Sequence, residues 1–259
     1  AARSATLTSA DNSMLPAERR ATAGLALVYG LRMLGLFVIL PVFALYVSKL
    51  PGGESKTMVG LALGAYGLTQ ALLQIPFGWW SDRIGRKPVI YFGLLLFAAG
   101  SAVAALASNM HVILLGRVMQ GAGAISGAVL ALTADLTREQ VRTKAMAAIG
   151  MTIGFSFVVS IALAPVLAQW LGVPGIFWMT ALLALGGIGL IALLVPNPST
   201  QKASADTQAR RKDFARVLKN ADLLRLNLGI FVLHAVLMSV FLVVPFQLQD
   251  MEIVSKDHW

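Results

Sequence analysis

The chain has 259 residues, of which 57% are hydrophobic and 13% are charged, and its formal net charge is +9. A typical soluble domain carries about 25% charged residues, so the composition excludes a water-soluble globular protein and predicts that a bilayer surrounds most of the chain. The basic residues lie in short segments between apolar runs, which argues against nucleic acid as the partner of the positive charge. There is no cysteine, and this excludes disulfides and thiolate metal sites.

Seven apolar runs are long enough to form helices that cross about 30 Å of hydrocarbon. They cover residues 22–48, 58–80, 88–107, 111–134, 145–169, 175–195 and 223–248. The fifth and sixth runs are separated only by LGVPG at 171–175, where we expect Gly and Pro to end one helix and start the next. The N-terminal segment is polar and lacks the apolar core of a cleaved signal peptide, so we expect the first helix to act as the insertion signal.

The order of these runs predicts four parts. Residues 1–21 form a tail, 22–195 a bundle of six transmembrane helices, 196–221 a polar basic linker, and 222–259 contain a seventh helix. Arg-rich turns recur at 82–87 and 135–144, once in each triplet of helices. This repetition predicts that the bundle consists of two inverted three-helix repeats, as in many secondary transporters.

The distribution of Lys and Arg predicts the orientation of the chain. Sixteen of the 21 basic residues fall on one side of the predicted spans, and cytoplasmic loops carry the excess of basic residues. The sixteen are Arg3, Arg19, Arg20, Arg83, Arg86, Lys87, Arg138, Arg142, Lys144, Lys202, Arg210, Arg211, Lys212, Arg216, Lys219 and Arg225. Only Lys49, Lys56 and Lys256 fall on the other side. We therefore expect a multi-pass protein with a cytoplasmic N-terminus.

Two sequence motifs resemble signatures of the major facilitator superfamily. The segment GWWSDRIGRKP at 78–88 is similar to the family's G-x-x-x-D-R-x-G-R-K turn between helices two and three. Arg117, Gln120, Gly121 and Gly123 resemble its second signature, on helix four. The segments 16–25, 31–35, 66–78 and 134–150 are similar to the drug-efflux branch and to its YajR-like group in particular.

The resemblance implies an all-α membrane protein. Its six-helix N-terminal bundle of 3+3 inverted repeats would be followed by the truncated start of a C-terminal bundle, whose remaining helices would be the missing partner. The implied function is secondary active transport by alternating access, most consistent with proton-coupled efflux of small organic compounds across the bacterial inner membrane. The alternatives are a proton-coupled symporter of a sugar or metabolite, and a membrane sensor or scaffold that no longer transports.

One motif departs from the family pattern. The antiporter signature on helix five reads G-x-x-x-G-P-x-x-G-G, whereas this chain has Ser160, Ala164, Pro165, Ala168 and Gln169. Small residues and the proline remain but the glycines do not, so this motif does not decide between antiport and symport.

The turn between helices two and three is expected to act as a conformational gate. Its residues are Gly78, Asp82, Arg83, Gly85, Arg86 and Lys87. In the family, the carboxylate at the position of Asp82 meets the N-terminus of a helix in the second half, which carries about half a positive charge, and this contact holds the cytoplasmic side shut. The alternative is a solvated turn in which Asp82 moderates the charge of its basic neighbours.

Polar residues inside the predicted spans are the candidates for a substrate and proton cavity, since charges in hydrocarbon are costly. At about 1.5 Å per residue, Arg32, Arg117 and His234 lie roughly 16, 20 and 18 Å from the cytoplasmic edge, near the midplane. The candidate set is Arg32, Tyr66, Gln70, Gln74, Arg117, Gln120 and His234. For each residue, a structural hydrogen bond between helices is the alternative role.

No nucleotide-binding or metal-binding motif is found in the sequence. We therefore expect no enzymatic activity and no cofactor. The expected partners are a small-molecule substrate, protons, the missing C-terminal half, and a bilayer with anionic lipid beside the basic linker.

Overall fold

The computed structural model describes residues 13–197 and 219–251, and within these ranges it contains helices and no strand. The helices are α1 Pro16–Val47, α2 Lys56–Ile84, α3 Arg86–Ala105, α4 Met110–Ala122, α5 Ser126–Asp135, α6 Glu139–Leu194 and α7 Ala221–Asp250. Among the described residues, six helical segments are long and apolar enough to cross a membrane, with α4 and α5 counted together as one segment. The expectation of an all-α membrane protein is confirmed.

The long helix α6 contains two spans. Gly172 lies inside it with φ 67° and ψ 168°, a backbone conformation that only glycine adopts without strain. The break divides α6 into α6a, residues 139–171, and α6b, residues 173–194. The described part of the chain therefore has seven crossing segments, with the fifth and sixth separated inside LGVPG as expected.

The fourth span differs from its sequence prediction, which was one continuous helix over 111–134. Helix α4 ends at Ala122, and α5 begins at Ser126. The carbonyl oxygen of Gly123 accepts hydrogen bonds from the Ile125 amide over 2.9 Å and from Arg32 over 3.0 Å, and neither bond is helical. Close packing requires glycine at the break, since a Cβ on Gly123 would collide with the Gly93 carbonyl oxygen of α3.

Helix α1 forms the centre of the bundle and is buried on most of its length between Leu25 and Val47. Hydroxyl groups from both arms of α6 bind its carbonyl oxygens. Ser156 donates to Gly30 over 2.9 Å, Ser160 to Leu34 over 3.1 Å, and Thr180 to Gly35 over 3.1 Å. Small residues allow such close approach between membrane helices, so α1 and α6 form one packed unit.

Helix α7 lies against this unit through the half that follows His234. Its Met238, Phe241, Leu242 and Phe246 pack on the apolar cluster around Phe43 and Phe177. The rings of Phe241 and Phe157 are 6.3 Å apart. Parts of the predicted tail (1–21), the linker (196–221) and the last segment (222–259) fall outside the described residues, and so do Arg3, Lys202, Arg210, Arg211, Lys212, Arg216 and Lys256.

Candidate functional site

Tyr66, on α2, joins two buried guanidinium groups. Its phenolic oxygen accepts a hydrogen bond of 3.2 Å from Nη2 of Arg32 on α1. Its ring lies under the guanidinium of Arg117 on α4, with Cζ 4.9 Å from the ring centroid. Both arginines are only 1% exposed. Three helices thus bring two positive charges to one aromatic side chain.

Within the described residues, neutral acceptors bind one of the three guanidinium nitrogens of Arg32. Besides Tyr66, its Nη2 donates to the Gly123 carbonyl oxygen over 3.0 Å, at the break between α4 and α5, and reaches Oε1 of Gln70 at 3.5 Å. Its Cζ is 5.1 Å from the centroid of the Phe97 ring. Nε and Nη1 are buried and have no hydrogen-bond partner among the described residues. This arginine therefore retains both an uncompensated charge and unused donors.

Arg117 is held more completely. Its Nη1 donates to Oε1 of Gln120 over 2.8 Å and its Nε to the Ala62 carbonyl oxygen over 3.4 Å. Phe43 lies on it as well, with Cζ 5.5 Å from that ring centroid. Gln120 in turn donates to Oγ of Ser101 over 2.8 Å. The chain Arg117–Gln120–Ser101 ties α4 to α3 through buried polar groups.

The charge of the two arginines has no counterion in the described part of the chain. No carboxylate among residues 13–197 and 219–251 contacts Arg32 or Arg117, whose hydrogen bonds and ring contacts all involve neutral groups. A buried charge without a partner costs several kcal/mol. An arrangement that keeps two such charges is suited to bind an anion.

Gln74 and His234 are placed apart from these contacts. Gln74 is half-buried beside Gly127 on α5, and its Oε1 is buried without a hydrogen-bond partner among the described residues. His234 is exposed in the described structure, and its Nδ1 lies 2.9 Å from the carbonyl oxygen of Ile230 in the same helix. The structure thus brings Arg32, Tyr66, Gln70, Arg117 and Gln120 together, while Gln74 and His234 stand outside that group.

The turn between α2 and α3 consists of Gly85 alone. Its φ of 103° and ψ of 152° form a conformation that disfavours any side chain, and it ends α2 and caps α3. The motif's second glycine is therefore required by the backbone. Gly78 differs, because a Cβ at that position would meet no heavy atom within 4 Å.

Arg86 connects the two Arg-rich turns. It forms an ion pair with Asp82 one turn earlier, and its Nε binds Oδ2 of Asp135 at the end of α5 over 3.2 Å. Its Nη1 also donates to Oγ of Ser81 over 2.8 Å. The side chains of Arg86, Asp82 and Asp135 are 6%, 16% and 13% exposed. This arrangement is a partly buried charge cluster rather than a solvated loop.

The other two basic residues of the motif face different surroundings. Arg83 is exposed and stacks on Trp79, with Cζ 3.6 Å from the ring centroid. Lys87 donates to the carbonyl oxygen of Val195, which follows the end of α6b. Of the four charges in the turn, Arg86 and Asp82 thus form the internal cluster, and Lys87 links the turn to the sixth span.

Several residues that contact these two clusters were absent from the sequence-based set, namely Phe43, Ser81, Phe97, Ser101 and Asp135. A separate ion pair, which joins Glu18 to Arg138 over 2.9 Å, was absent as well. Asp135 and Glu18 carried a signal, since each is an acidic residue beside a predicted span. The aromatic and hydroxyl partners carried none, because such residues are common throughout the chain.

The family model described as Major Facilitator Superfamily matches residues 25–254. The chain belongs to the major facilitator superfamily. This confirms the family resemblance, and the Arg32–Tyr66–Arg117 cluster and the turn around Gly85 both lie within the matched residues.

Two relatives and one solved structure illustrate the similarity. The inner membrane transport protein YajR of Escherichia coli K12 is 50% identical over 249 residues, which are 96% of this chain and 55% of that protein. The class E tetracycline resistance protein of Escherichia coli is 35% identical over 123 residues, 47% of this chain and 30% of that protein. A bacterial homologue of the human lysosomal transporter Spinster, in an inward-facing unoccupied conformation, superposes with a TM-score of 0.74 at 18% identity, over 94% of this chain and 58% of that one. The chain thus spans little more than half the length of YajR.

Proposed function

We propose that the chain is the N-terminal part of a secondary active transporter that exports small organic compounds by alternating access, coupled to protons. The proposed substrate class rests on one observation. Arg32 and Arg117 both contact Tyr66, and no carboxylate of the described residues contacts either arginine. One relative is named as a tetracycline resistance protein, which supports export, and another as an inner membrane transport protein, which supports the location. We place the protein in the bacterial inner membrane with a cytoplasmic N-terminus.

The charge of the cluster favours an anionic or carboxylate-bearing substrate. Nε and Nη1 of Arg32 have no hydrogen-bond partner among the described residues, and a carboxylate is a strong acceptor for a charged donor. A carboxylate bound there would offset a buried charge that neutral acceptors leave uncompensated. Gln70 lies beside the same guanidinium and would contribute an amide to the substrate, with Gln74 one turn further along α2.

None of the spans predicted in this chain holds an acid at the midplane, so a proton carrier within this chain would be another side chain. Histidine is the side chain that ordinarily titrates near neutral pH, and His234 lies on a span. The negative charge of a bound anionic substrate and the positive charge of a bound proton would attract one another. Binding of the substrate and protonation of His234 would then be coupled through charge. This coupling requires α7 to bring His234 towards the cavity in the complete transporter.

We propose that the turn around Gly85 is the cytoplasmic gate, formed by Gly78, Asp82, Arg83, Gly85, Arg86 and Lys87. The cluster of Arg86 with Asp82 and Asp135 supports this role, since it holds the Asp82 carboxylate in place while leaving it partly exposed. The open space beside Gly78 would allow a helix of a second bundle to approach there. The basic linker is proposed to lie on anionic lipid of the inner leaflet.

Symport is the second candidate. The observation that favours it is Ser160, which stands where the antiporter signature has glycine and which binds α1 through the Leu34 carbonyl oxygen. A hydroxyl that fixes α6a to α1 removes the close, flexible contact that glycines would permit there.

The direct test is an export assay in cells that produce the full-length transporter. A panel of fluorescent organic anions, cations and neutral compounds is loaded, and the rate of loss is measured with and without a protonophore. We expect export of anionic compounds that the protonophore abolishes. Uptake that the protonophore abolishes would instead indicate symport. The proposal fails if no member of the panel moves in either direction.

His234→Gln tests the proton carrier in the same assay. We expect the variant to reach the membrane at the normal level and to lose the pH dependence of transport. Asn227→Gln, which changes another exposed polar residue of the same helix, is the matched control and should keep the normal pH profile. A normal pH profile for His234→Gln would assign the proton site to another residue.

A further inference from the structure

A cleft opens where three membrane helices reach the same face of the bundle. It lies between the first turn of α1, the first turn of α3 and the end of α6b, and its volume is about 520 Å³. The lining consists of Pro16, Ala17, Arg20, Lys87 and residues 192–197. Of the residues that line it, Lys87 belongs to the proposed gate, and the transport mechanism assigns no role to the cleft itself.

Two cations are fixed in the cleft by the same helix end. Nη2 of Arg20 donates to the Leu193 carbonyl oxygen over 3.1 Å, and Nζ of Lys87 donates to that of Val195. These carbonyls belong to the last turn of α6b and to the residue after it. Carbonyl oxygens at the end of a helix receive no hydrogen bond from an amide of a following turn. A guanidinium has five N–H donors and an ammonium three, so each side chain keeps donors beyond the bond that positions it.

No acidic residue is found among the residues that line the cleft. The nearest acid in sequence is Glu18, and both of its oxygens are engaged by Arg138, Oε1 with Nε over 2.9 Å and Oε2 with Nη2 over 3.2 Å. The positive charge of Arg20 and Lys87 is therefore not neutralised by a carboxylate of the cleft. A phosphate group bound in the cleft would neutralise this positive charge.

The surroundings of the charges select the source of that phosphate. The cleft lies at the ends of three membrane spans, and its rim is apolar, with Leu193 76% exposed beside Pro16 and Ala17. A free phosphate ion gains nothing from such a rim, whereas acyl chains do. We propose that this cleft binds the phosphodiester headgroup of an anionic glycerophospholipid, with Arg20 and Lys87 as the phosphate ligands and Leu193 against the acyl chains.

The bound lipid would act on the gate through Lys87. This residue follows Arg86 in the turn between α2 and α3, and Arg86 carries the ion pairs to Asp82 and Asp135. A phosphate at Lys87 would fix the start of α3 against α6b. The lipid composition of the membrane would thereby affect the same turn that is proposed to close the cytoplasmic side.

The test measures lipid retained by the purified chain. The protein is purified in detergent and titrated with phosphatidylglycerol or with zwitterionic phosphatidylcholine, and the bound lipid is counted by native mass spectrometry. Arg20→Gln combined with Lys87→Gln is compared with Arg19→Gln, which removes an exposed charge at the neighbouring position outside the cleft. At about a factor of five for each basic residue, we expect the double variant to weaken phosphatidylglycerol binding roughly 30-fold.

The charge-preserving pair Arg20→Lys and Lys87→Arg controls for loss of the bonds that cap α6b, and we expect it to bind within a few-fold of the wild type. Arg19→Gln is expected to leave binding unchanged. The proposal is overturned if the double glutamine variant binds phosphatidylglycerol like the wild type, or if Arg19→Gln weakens binding as much. It is also overturned if inorganic phosphate displaces the lipid at equal concentration, since the cleft would then be a site for the free ion.

Discussion

Nη2 of Arg32 donates a hydrogen bond of 3.2 Å to the phenolic oxygen of Tyr66, and the face of the same ring lies under Arg117. One aromatic side chain thereby separates two guanidinium groups that would otherwise repel one another. The phenol oxygen accepts a hydrogen bond from Arg32, and the face of the ring stabilises the charge of Arg117. Each contact is worth roughly 1–2 kcal/mol when it is desolvated. Tyr66 is the residue on which the geometry of the candidate site depends.

The backbone contact that positions Tyr66 can be tested with a glycine. A Cβ on Gly121 of α4 would collide with the carbonyl oxygen of Tyr66, so Gly121→Ala must push α2 away from α4. We expect a loss of about 1–3 kcal/mol of stability, as for other overpacked contacts. Thermal unfolding in detergent measures it.

Gly64→Ala, on the same helix as Tyr66, is the matched control. A Cβ at that position meets no heavy atom within 4 Å. Alanine is the better helix former by about 0.5–1 kcal/mol, so we expect this variant to be as stable as the wild type or slightly more stable. Equal destabilisation by both changes would show that the helices do not approach as the structure has them.

The charge cluster at the turn predicts unequal roles for neighbouring arginines. Arg86→Gln leaves the carboxylates of Asp82 and Asp135 without their shared cation, and removal of one partner from a buried ion pair costs about 3 kcal/mol or more. Arg83→Gln removes an exposed cation stacked on Trp79 and should cost less than about 1 kcal/mol. Midpoints of thermal unfolding distinguish the two, and an Arg83 variant less stable than the Arg86 variant would contradict this assignment.

Ser160 accounts for one departure from the antiporter signature. Its buried hydroxyl donates to the Leu34 carbonyl oxygen over 3.1 Å. We expect Ser160→Ala to cost about 1 kcal/mol, the net value of a typical hydrogen bond. In Ser239→Ala the lost bond is exposed and local to α7, so that change should fall within about 0.5 kcal/mol of the wild type. If the two variants were equally stable, the link between α6a and α1 would have no energetic role.

The spans could be predicted from the sequence because the length of an apolar run, and the Gly and Pro residues that end it, are local properties. The break at Gly172 and the one-residue turn at Gly85 follow from glycine at positions where the backbone needs positive φ. The break at Gly123 was missed, because it depends on the approach of Gly93 from α3 and on a hydrogen bond from Arg32 on α1. Contacts between distant helices leave no mark in a local pattern.

In the candidate site, too, local features could be predicted and contacts between helices could not. Depth counted along each helix placed Arg32 and Arg117 near one level, and both contact Tyr66 in the structure. Depth alone does not give the rotation of a helix about its axis. For that reason the sequence could not distinguish Arg117, which is held by Gln120 and Ala62, from Arg32, which keeps two donors without partners among the described residues.

The absence of cysteine allows a clean test of orientation. Lys56→Cys, at the exposed start of α2, and Arg19→Cys, at the exposed start of α1, each introduce a single thiol. The excess of basic residues on the side of Arg19 predicts that a membrane-impermeant maleimide added to intact cells labels only the thiol at 56. Labelling at 19 and protection at 56 would reverse the proposed topology.

In the proposed mechanism, Arg32 supplies the charge that binds an anionic substrate and couples it to protons. The most direct measurement is substrate-driven proton movement in proteoliposomes of the full-length transporter, followed with an internal pH dye during addition of carboxylate-bearing compounds. We predict a pH change with the wild type, and no change with Arg32→Gln even though Arg32→Gln assembles into the liposomes at the same level. A pH change of normal size in Arg32→Gln would contradict the account.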